Sequence, residues 1–206
     1  MADITLYHSP ASRAFIAYWL LEELGVPFRV RTIDIRKGEQ KSPEYRRINP
    51  MGKVPALTDG KVVVTENPAI CMYLADRYGY GRLAPKIEAA ERGAYLRWMV
   101  FSTAVLEPAA NLKSVEAHQP GFGAGWGELS TVIETVEAAL GQGPWLLGGS
   151  FSAADVMLGS VLAMAMHNQL LPDSEVIESY QQRLVARPAY QRASDATWPA
   201  SLFEGG

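Results

Sequence analysis

The stretch Leu6-Tyr7-His8-Ser9-Pro10-Ala11-Ser12-Arg13 decides the fold, because it joins a short apolar strand to the helical run Arg13 to Leu24 through a polar turn. The first backbone N–H groups of a helix have no partner within the helix and carry the positive end of its macrodipole. Such a turn favours an anion, for example a thiolate, at the helix start. Capping by Ser9 or Ser12 is the alternative explanation, since serine is common at that position.

The chain lacks the cysteine pair that thiol redox proteins use. Ser9-Pro10-Ala11-Ser12 occupies the strand-to-helix junction at which a thioredoxin-type fold carries Cys-x-x-Cys. Cys71 is the only cysteine and lies in the apolar run Ala69 to Leu74, which predicts a buried, small hydrophobic residue. A single cysteine excludes an internal disulfide, a multi-cysteine metal site and a two-cysteine redox cycle within one subunit.

Composition and charge point to a small-molecule partner. The 206 residues allow one large or two small domains, and 48% hydrophobic residues are ample for a packed core. The formal net charge of −3, without any basic run, argues against nucleic acid or an anionic membrane as partner. The apolar run Phe15 to Leu21 is too short for a signal peptide and leads directly into Glu22-Glu23. We therefore predict a cytoplasmic protein.

The first 78 residues alternate strand and helix signals. Ile4 to Tyr7 and Phe28 to Ile33 indicate strands on either side of the first helix, and a β-α-β unit of this length requires parallel strands. Two further apolar runs flank Asp59-Gly60, which predicts an antiparallel hairpin with a type I′ turn. Asn67-Pro68 then begins a helix, with Asn67 as its cap. The predicted order is β-α-β followed by β-β-α.

The signals after residue 86 are helical. A long amphipathic helix from Glu88 to Leu106 is predicted to end at Pro108. Ser152-Ala153-Ala154-Asp155 has the form of a capping box and precedes an apolar helical run. Asp155 is therefore predicted to stabilise the fold and to take no part in chemistry.

Four separated motifs resemble those of the cytosolic glutathione transferases. They are Ser-Pro-Ala-Ser-Arg after the first strand, Asn49-Pro50-Met51-Gly52-Lys53-Val54-Pro55-Ala56-Leu57, Thr65-Glu66-Asn67-Pro68-Ala69-Ile70 and Ser152-Ala153-Ala154-Asp155. The resemblance covers nearly the whole chain. It implies an α/β thioredoxin-like N-terminal domain over residues 1–78, a linker over 79–86 and an all-α C-terminal helical domain over 87–206 that forms a hydrophobic substrate pocket. The serine-type features resemble the theta and phi classes, whereas Val100 and Glu107 stand where the beta class carries Asn and His.

The resemblance also implies an activity. It is that of an enzyme that binds glutathione as cosubstrate, ionises its thiol and adds the thiolate to a small hydrophobic electrophile, in the manner of detoxification. Other glutathione-dependent chemistry, such as disulfide or peroxide reduction, isomerisation or dehalogenation, is one alternative. A non-catalytic binding protein on the same fold is another. The resemblance further implies a homodimer and no nucleic-acid or membrane partner.

The site residues are implied by matching the family motifs to this chain. Ser12 is the implied hydrogen-bond donor to the thiolate, with Tyr7 as the alternative and Ser9 as a weaker one. The residues implied to bind glutathione are Lys41, Lys53, Val54, Pro55, Glu66 and Asn67. Those implied to line the hydrophobic substrate pocket are Tyr7, Ala11, Phe15 and Leu106.

Three of these assignments carry specific roles in the family. The bond before Pro55 is held cis, so that the backbone of Val54 can pair with the peptide-like ligand. Glu66 is the implied acceptor for the γ-glutamyl ammonium group, and Asn67 stands where most members have a serine for the γ-glutamyl carboxylate. No metal site is predicted, because His8, His118 and His167 lack the spacing of metal ligands.

Overall fold

The computed structural model describes residues 3–114 and 124–199, which divide into two compact units. The first unit contains the described residues up to Gly79 together with those from Arg187 onwards. The second unit contains the described residues of Tyr80–Ala186. The last helix thus lies in the first unit, whereas the sequence placed residues 187–206 in the helical domain.

Within the described ranges, a four-stranded mixed sheet forms the centre of the first unit. Its strands are β1 (Ile4–His8), β2 (Phe28–Thr32), β3 (Ala56–Asp59) and β4 (Val62–Thr65), in the order β2-β1-β3-β4. Strands β1 and β2 are parallel, while β3 is antiparallel to both β1 and β4. The predicted thioredoxin-like arrangement is confirmed.

The helices follow the predicted order with shifted ends. They are α1 (Ala14–Leu24), α2 (Pro43–Arg46), α3 (Asn67–Tyr78), α4 (Arg92–Phe101), α5 (Glu107–Ser114), α6 (Leu129–Leu140), α7 (Ala153–His167), α8 (Glu175–Val185) and α9 (Pro188–Thr197). A 3-10 turn, Glu39–Lys41, precedes α2, and a π-helical segment, Ser102–Leu106, joins α4 to α5. None of the helices in the described ranges is long and apolar enough to cross a membrane.

The hairpin between β3 and β4 exists, but its turn is displaced by one residue from the prediction. Asp59 pairs with Val62, so the two turn residues are Gly60 and Lys61. Gly60 has a φ of 58°, whereas Lys61 is not among the residues with positive φ. A type I′ turn requires positive φ at both positions, so the predicted turn type is wrong. Asp59 instead belongs to the strand, where its side chain is buried.

Helix α9 packs along α1 through aromatic rings. The Phe15 ring lies 5.1 Å from the Tyr190 ring and 4.8 Å from the Trp198 ring, centroid to centroid. At the other end of α9, the Arg187 guanidinium donates to both carboxylate oxygens of Glu23, at 2.6 and 2.8 Å. The aromatic contacts and the ion pair hold α9 in the first unit. The burial of the rings contributes most of the favourable free energy, because large apolar surfaces leave water.

The long helix predicted to end at Pro108 continues past it. The π-helical segment precedes Pro108, and the backbone N–H of Glu107 donates to the carbonyl of Ser102, five residues back. A proline inside a regular α-helix removes one backbone hydrogen bond and clashes with the carbonyl four residues earlier. The widened turn shifts the bonding pattern ahead of Pro108, so the helix resumes as α5.

The second unit contains the predicted capping box at the start of α7, which is confirmed. The Asp155 side chain is fully buried and accepts hydrogen bonds from the Leu146 N–H (2.9 Å), the Ser152 N–H (2.8 Å), the Ser152 hydroxyl (3.0 Å) and the Tyr180 hydroxyl (3.0 Å). Burial raises the pKa of Asp155, and these hydrogen bonds oppose the shift. Asp155 thus joins α7, α8 and the loop before α7.

Candidate functional site

The turn between β1 and α1 places two serines at the start of α1. Ser9 is buried, and Ser12 is half-buried at the surface end of the turn. The Ser12 hydroxyl donates to the Ser9 carbonyl at 2.6 Å and accepts from the Ala14 N–H at 3.2 Å. Ser12 therefore satisfies the N–H of the first residue of α1, although Arg13 occupies the cap position and its side chain makes no capping bond.

Helix α9 holds the same turn from outside. The Ala11 N–H donates to the carbonyl of Thr197 at 2.8 Å, and the Thr197 hydroxyl lies 3.0 Å from Nε2 of the buried His8 ring. Burial lowers the pKa of His8 to about 4, so the ring is neutral at physiological pH. No sequence pattern pointed to this contact.

Tyr7 lies on the opposite face of the sheet from His8, because successive strand residues alternate. Its ring packs 5.8 Å from the Tyr45 ring of α2, with the Arg31 guanidinium 5.7 Å from the Tyr7 ring centroid. The His8 ring contacts Tyr18 of α1 at 5.6 Å. The structure thus places Tyr7 in a buried cluster beside α2, while Ser12 lies at the start of α1.

The loop before β3 is ordered by two donors to one carbonyl. The Lys53 carbonyl accepts from the Tyr45 hydroxyl at 2.7 Å and from Nδ2 of Asn49 at 2.8 Å. Asn49 is buried, and its Oδ1 accepts from the Met51 N–H at 3.1 Å. The Lys53 side chain itself is exposed. The two hydrogen bonds to the Lys53 carbonyl fix the backbone just before Val54-Pro55.

The Val54-Pro55 bond that follows is cis, as the resemblance implied. Gly52, two residues earlier, has a φ of 60°, and a Cβ there would lie 2.8 Å from the Gln40 carbonyl. Only glycine fits this position. Because Ala56 pairs with Tyr7, Val54-Pro55 lies beside the end of β1 where the turn begins.

The start of α3 reaches the start of α1. Nδ2 of Asn67 donates to the Arg13 carbonyl at 3.1 Å, while its buried Oδ1 has no partner among the described residues. Asn67 is the first residue of α3, and the predicted capping position is taken by Glu66, whose side chain makes no capping bond. Glu66 is exposed and has a φ of 67°. The starts of α1 and α3 therefore lie close together near the turn, and each helix N-terminus favours an anion.

The remaining predicted residues lie in different surroundings. Lys41 is exposed at the end of the 3-10 turn, and Ala11 is exposed on the β1–α1 turn. Phe15 is buried in the aromatic contacts with α9, and Leu106 is buried within the second unit. Their assignment to a substrate pocket stays a prediction. Residues 3–114 and 124–199 contain no cluster of three potential metal ligands, and His118 lies outside these ranges.

Two family models match the chain along most of its length. Residues 2–76 match the model of the glutathione S-transferase N-terminal domain. Residues 87–180 match the model of the glutathione S-transferase C-terminal domain. The chain belongs to the glutathione S-transferase family. The predicted family and enzyme type are confirmed at this level, and the class within the family stays a prediction.

Individual glutathione S-transferases and related proteins are similar over the same span. The probable glutathione S-transferase GSTF2 of Oryza sativa subsp. japonica is 30% identical, with 97% of this chain and 99% of that protein covered. The disulfide-bond oxidoreductase YfcG of Escherichia coli strain K12 is 27% identical, with 92% and 94% covered. The solved structure of the glutathione transferase URE2P6 from Phanerochaete chrysosporium, in complex with oxidized glutathione, is 26% identical, with a TM-score of 0.76 and coverage of 95% and 96%.

Proposed function

We propose that this chain is a cytoplasmic glutathione transferase that adds the glutathione thiolate to a small hydrophobic electrophile. The observation that carries the proposal is the convergence of the α1 and α3 N-termini beside the cis Val54-Pro55 loop. Helix N-termini bind anions, and glutathione offers carboxylates and, once ionised, a thiolate. The complex of the Phanerochaete relative with oxidized glutathione supports the choice of ligand.

Glutathione takes up defined contacts in this proposal. The backbone of Val54, which forms no hydrogen bond with another described residue, pairs with the cysteinyl backbone of glutathione as a short added strand. Glu66 accepts the γ-glutamyl ammonium group, and the second N–H of the Asn67 amide donates to the γ-glutamyl carboxylate. Lys41 and Lys53, both exposed, bind the glycyl carboxylate.

Ser12 is the proposed donor to the thiolate. Its oxygen keeps the Ala14 N–H as donor, while its proton turns from the Ser9 carbonyl to the sulfur. Giving up a neutral hydrogen bond costs about 1 kcal/mol, and a charge-assisted one contributes about 1.5–3 kcal/mol. The exchange therefore favours the ionised thiol, with the N-terminus of α1 adding to the effect.

Glutathione-dependent disulfide reduction is the second candidate, because the similar Escherichia coli protein is a disulfide-bond oxidoreductase. Cys71 does not serve as nucleophile in this scheme, since it is fully buried and burial raises the pKa of its thiol. The attacking thiolate would be that of glutathione, held by the same site.

A parallel assay separates the candidates. Purified protein is tested with glutathione and, in turn, an activated aryl chloride, an organic hydroperoxide and a mixed disulfide. Turnover of the aryl chloride above the other two supports the transferase, and preference for the disulfide supports the reductase. Retention on immobilised glutathione without any turnover would indicate a binding protein and contradict both.

Glu66→Ala is expected to raise the KM for glutathione about tenfold and to change kcat little, because the carboxylate supplies ground-state binding to the ammonium group. The effect stays near the lower end for a charged hydrogen bond, since Glu66 is exposed in the unliganded protein. Steady-state kinetics and glutathione binding by calorimetry measure it. Glu88→Ala, an exposed carboxylate in the second unit, is the matched control. An unchanged KM in a folded Glu66→Ala protein contradicts the assignment.

The protein is expected to sediment as a homodimer, as is typical of the family. Each unit exposes apolar side chains that a second copy would cover: Val62 and Val63 on β4 in the first unit, and Leu96 and Val100 on α4 in the second. Analytical ultracentrifugation of wild type, Val63→Lys and the control Val176→Lys checks this. We expect only Val63→Lys to weaken the dimer. A wild-type monomer at micromolar concentration overturns the prediction.

A further inference from the structure

We propose that Thr197, at the end of α9, is a positioning residue for the thiolate site and acts through the β1–α1 turn. It contacts the turn at two points, with its hydroxyl 3.0 Å from Nε2 of His8 and its carbonyl accepting from the Ala11 N–H at 2.8 Å. The two contacted residues, His8 and Ala11, lie on either side of Ser9-Pro10, and Ala11 immediately precedes Ser12. The inference rests on the proposed function, because it assigns a role in ionising glutathione.

Loss of the first contact, between the Thr197 hydroxyl and Nε2 of His8, is expected to destabilise the end of β1. His8 and Thr197 are both buried, and the neutral imidazole needs a partner for Nε2. Removal of the Thr197 hydroxyl leaves that nitrogen unpaired in an apolar surrounding. The end of β1, which leads into the turn, then loses its fixed position.

The second contact holds an unfavourable backbone conformation in place. Ala11 has a φ of 51°, in the left-handed region that favours glycine. A non-glycine residue stays there only when its surroundings require it. The hydrogen bond from the Ala11 N–H to the Thr197 carbonyl stabilises this conformation. Because Ser12 follows Ala11 directly, the same bond helps to set the position of Ser12.

Thr197 is itself a fixed point. The start of α9 is held by the paired contacts of Arg187 with Glu23, and the residue after Thr197 packs its ring 4.8 Å from Phe15. The Trp198 N–H donates to the Ser194 carbonyl at 2.8 Å, which closes the last turn. A residue anchored at both sides can set the geometry of the turn it contacts.

The test compares Thr197→Val, which removes the hydroxyl at nearly constant volume, with Thr197→Ser, which restores it. Arg192→Gln is the control on the same helix, because its ion pair with Glu22 lies at the surface. Three quantities are measured: the pH dependence of the thiolate absorbance of bound glutathione, kcat and KM for glutathione, and the exchange rate of the Ala11 amide hydrogen by NMR.

Thr197→Val is expected to lower kcat about tenfold at neutral pH with little change in the KM for glutathione, since a small displacement of a reacting group has an effect of this size. The thiolate titration moves to higher pH, and the Ala11 amide exchanges about tenfold faster. Thr197→Ser and Arg192→Gln retain wild-type values within about twofold in all three measurements.

A Thr197→Val protein with reduced stability but an unchanged thiolate titration overturns the proposal, since the contact would then be structural only. If Thr197→Val does not fold, the wild type still decides: Ala11 must exchange at least about a hundredfold more slowly than a free peptide amide. If wild-type protein forms no thiolate, the proposed function fails. In that case, the Ala11 amide exchange rates of unliganded wild type and Thr197→Val still test whether Thr197 holds the β1–α1 turn in place.

Discussion

Replacement of Asp155 by alanine is expected to lower the free energy of unfolding by about 3–5 kcal/mol, the range for breaking a buried hydrogen-bonded network. The variant leaves the Leu146 N–H and the Ser152 N–H buried without their acceptor, and the Tyr180 hydroxyl keeps only the backbone carbonyl of residue 155, at 3.4 Å. Each unpaired buried group costs about 1–3 kcal/mol, and partial relaxation keeps the total below the sum.

Urea denaturation followed by tryptophan fluorescence measures this loss, because Trp145 packs within 6.4 Å of the Tyr180 ring. Glu134→Ala, at an exposed position inside α6, is the control and is expected to change stability by less than about 0.5 kcal/mol. A loss below about 1 kcal/mol in Asp155→Ala would show that its partners find other acceptors.

Ser12→Ala is expected to raise the pKa of the glutathione thiol in the complex by about one to two units and to lower kcat/KM about a hundredfold at neutral pH. The sign follows from the chemistry: loss of a donor to the thiolate disfavours the charged form, so ionisation requires higher pH. The deficit is largest below the raised pKa and shrinks above it. Tyr7→Phe is expected to have little effect, because the Tyr7 ring lies in the cluster beside α2.

The thiolate absorbance of bound glutathione against pH is measured for Ser12→Ala, Tyr7→Phe and Ser9→Ala. Ser9→Ala alters the same turn and thus serves as the matched control, with an expected titration like that of wild type. If the thiol pKa rises in Tyr7→Phe alone, Ser12 is a helix cap and the enzyme uses its tyrosine.

The order of elements was predictable because it is encoded locally. Turn residues and hydrophobic periodicity predicted the strands and helices of the first unit, and cap signals predicted the start of α7. The departures from the prediction have different origins. Pairing of Asp59 with Val62 moves the hairpin turn by one residue, and a π-helical turn carries the long helix past Pro108; both are local adjustments that the residue pattern does not distinguish from the regular form. The position of α9 in the first unit depends instead on its contacts with α1, which lies far away in the sequence.

The candidate site was predictable only in part for the same reason. The motifs predict roles for Ser12, Glu66 and Asn67, which stay predictions, and the contact of Asn67 with the Arg13 carbonyl brings the starts of α1 and α3 together. The contact between His8 and Thr197 joins residues 189 positions apart, and the motif that contains His8 gives no sign of a partner at the end of the chain. Such partners emerge only from tertiary packing.

The return of α9 to the first unit has a consequence for protein synthesis. The residues of the sheet leave the ribosome well before Arg187. Phe15 and Trp19 of α1 therefore lack their contacts with Tyr190 of α9 while the second unit is translated. A protein that ends at Gly79 would retain the four strands of the described sheet but expose these rings to water. The first unit is thus a discontinuous folding domain, which completes its core only when the residues beyond Arg187 have emerged.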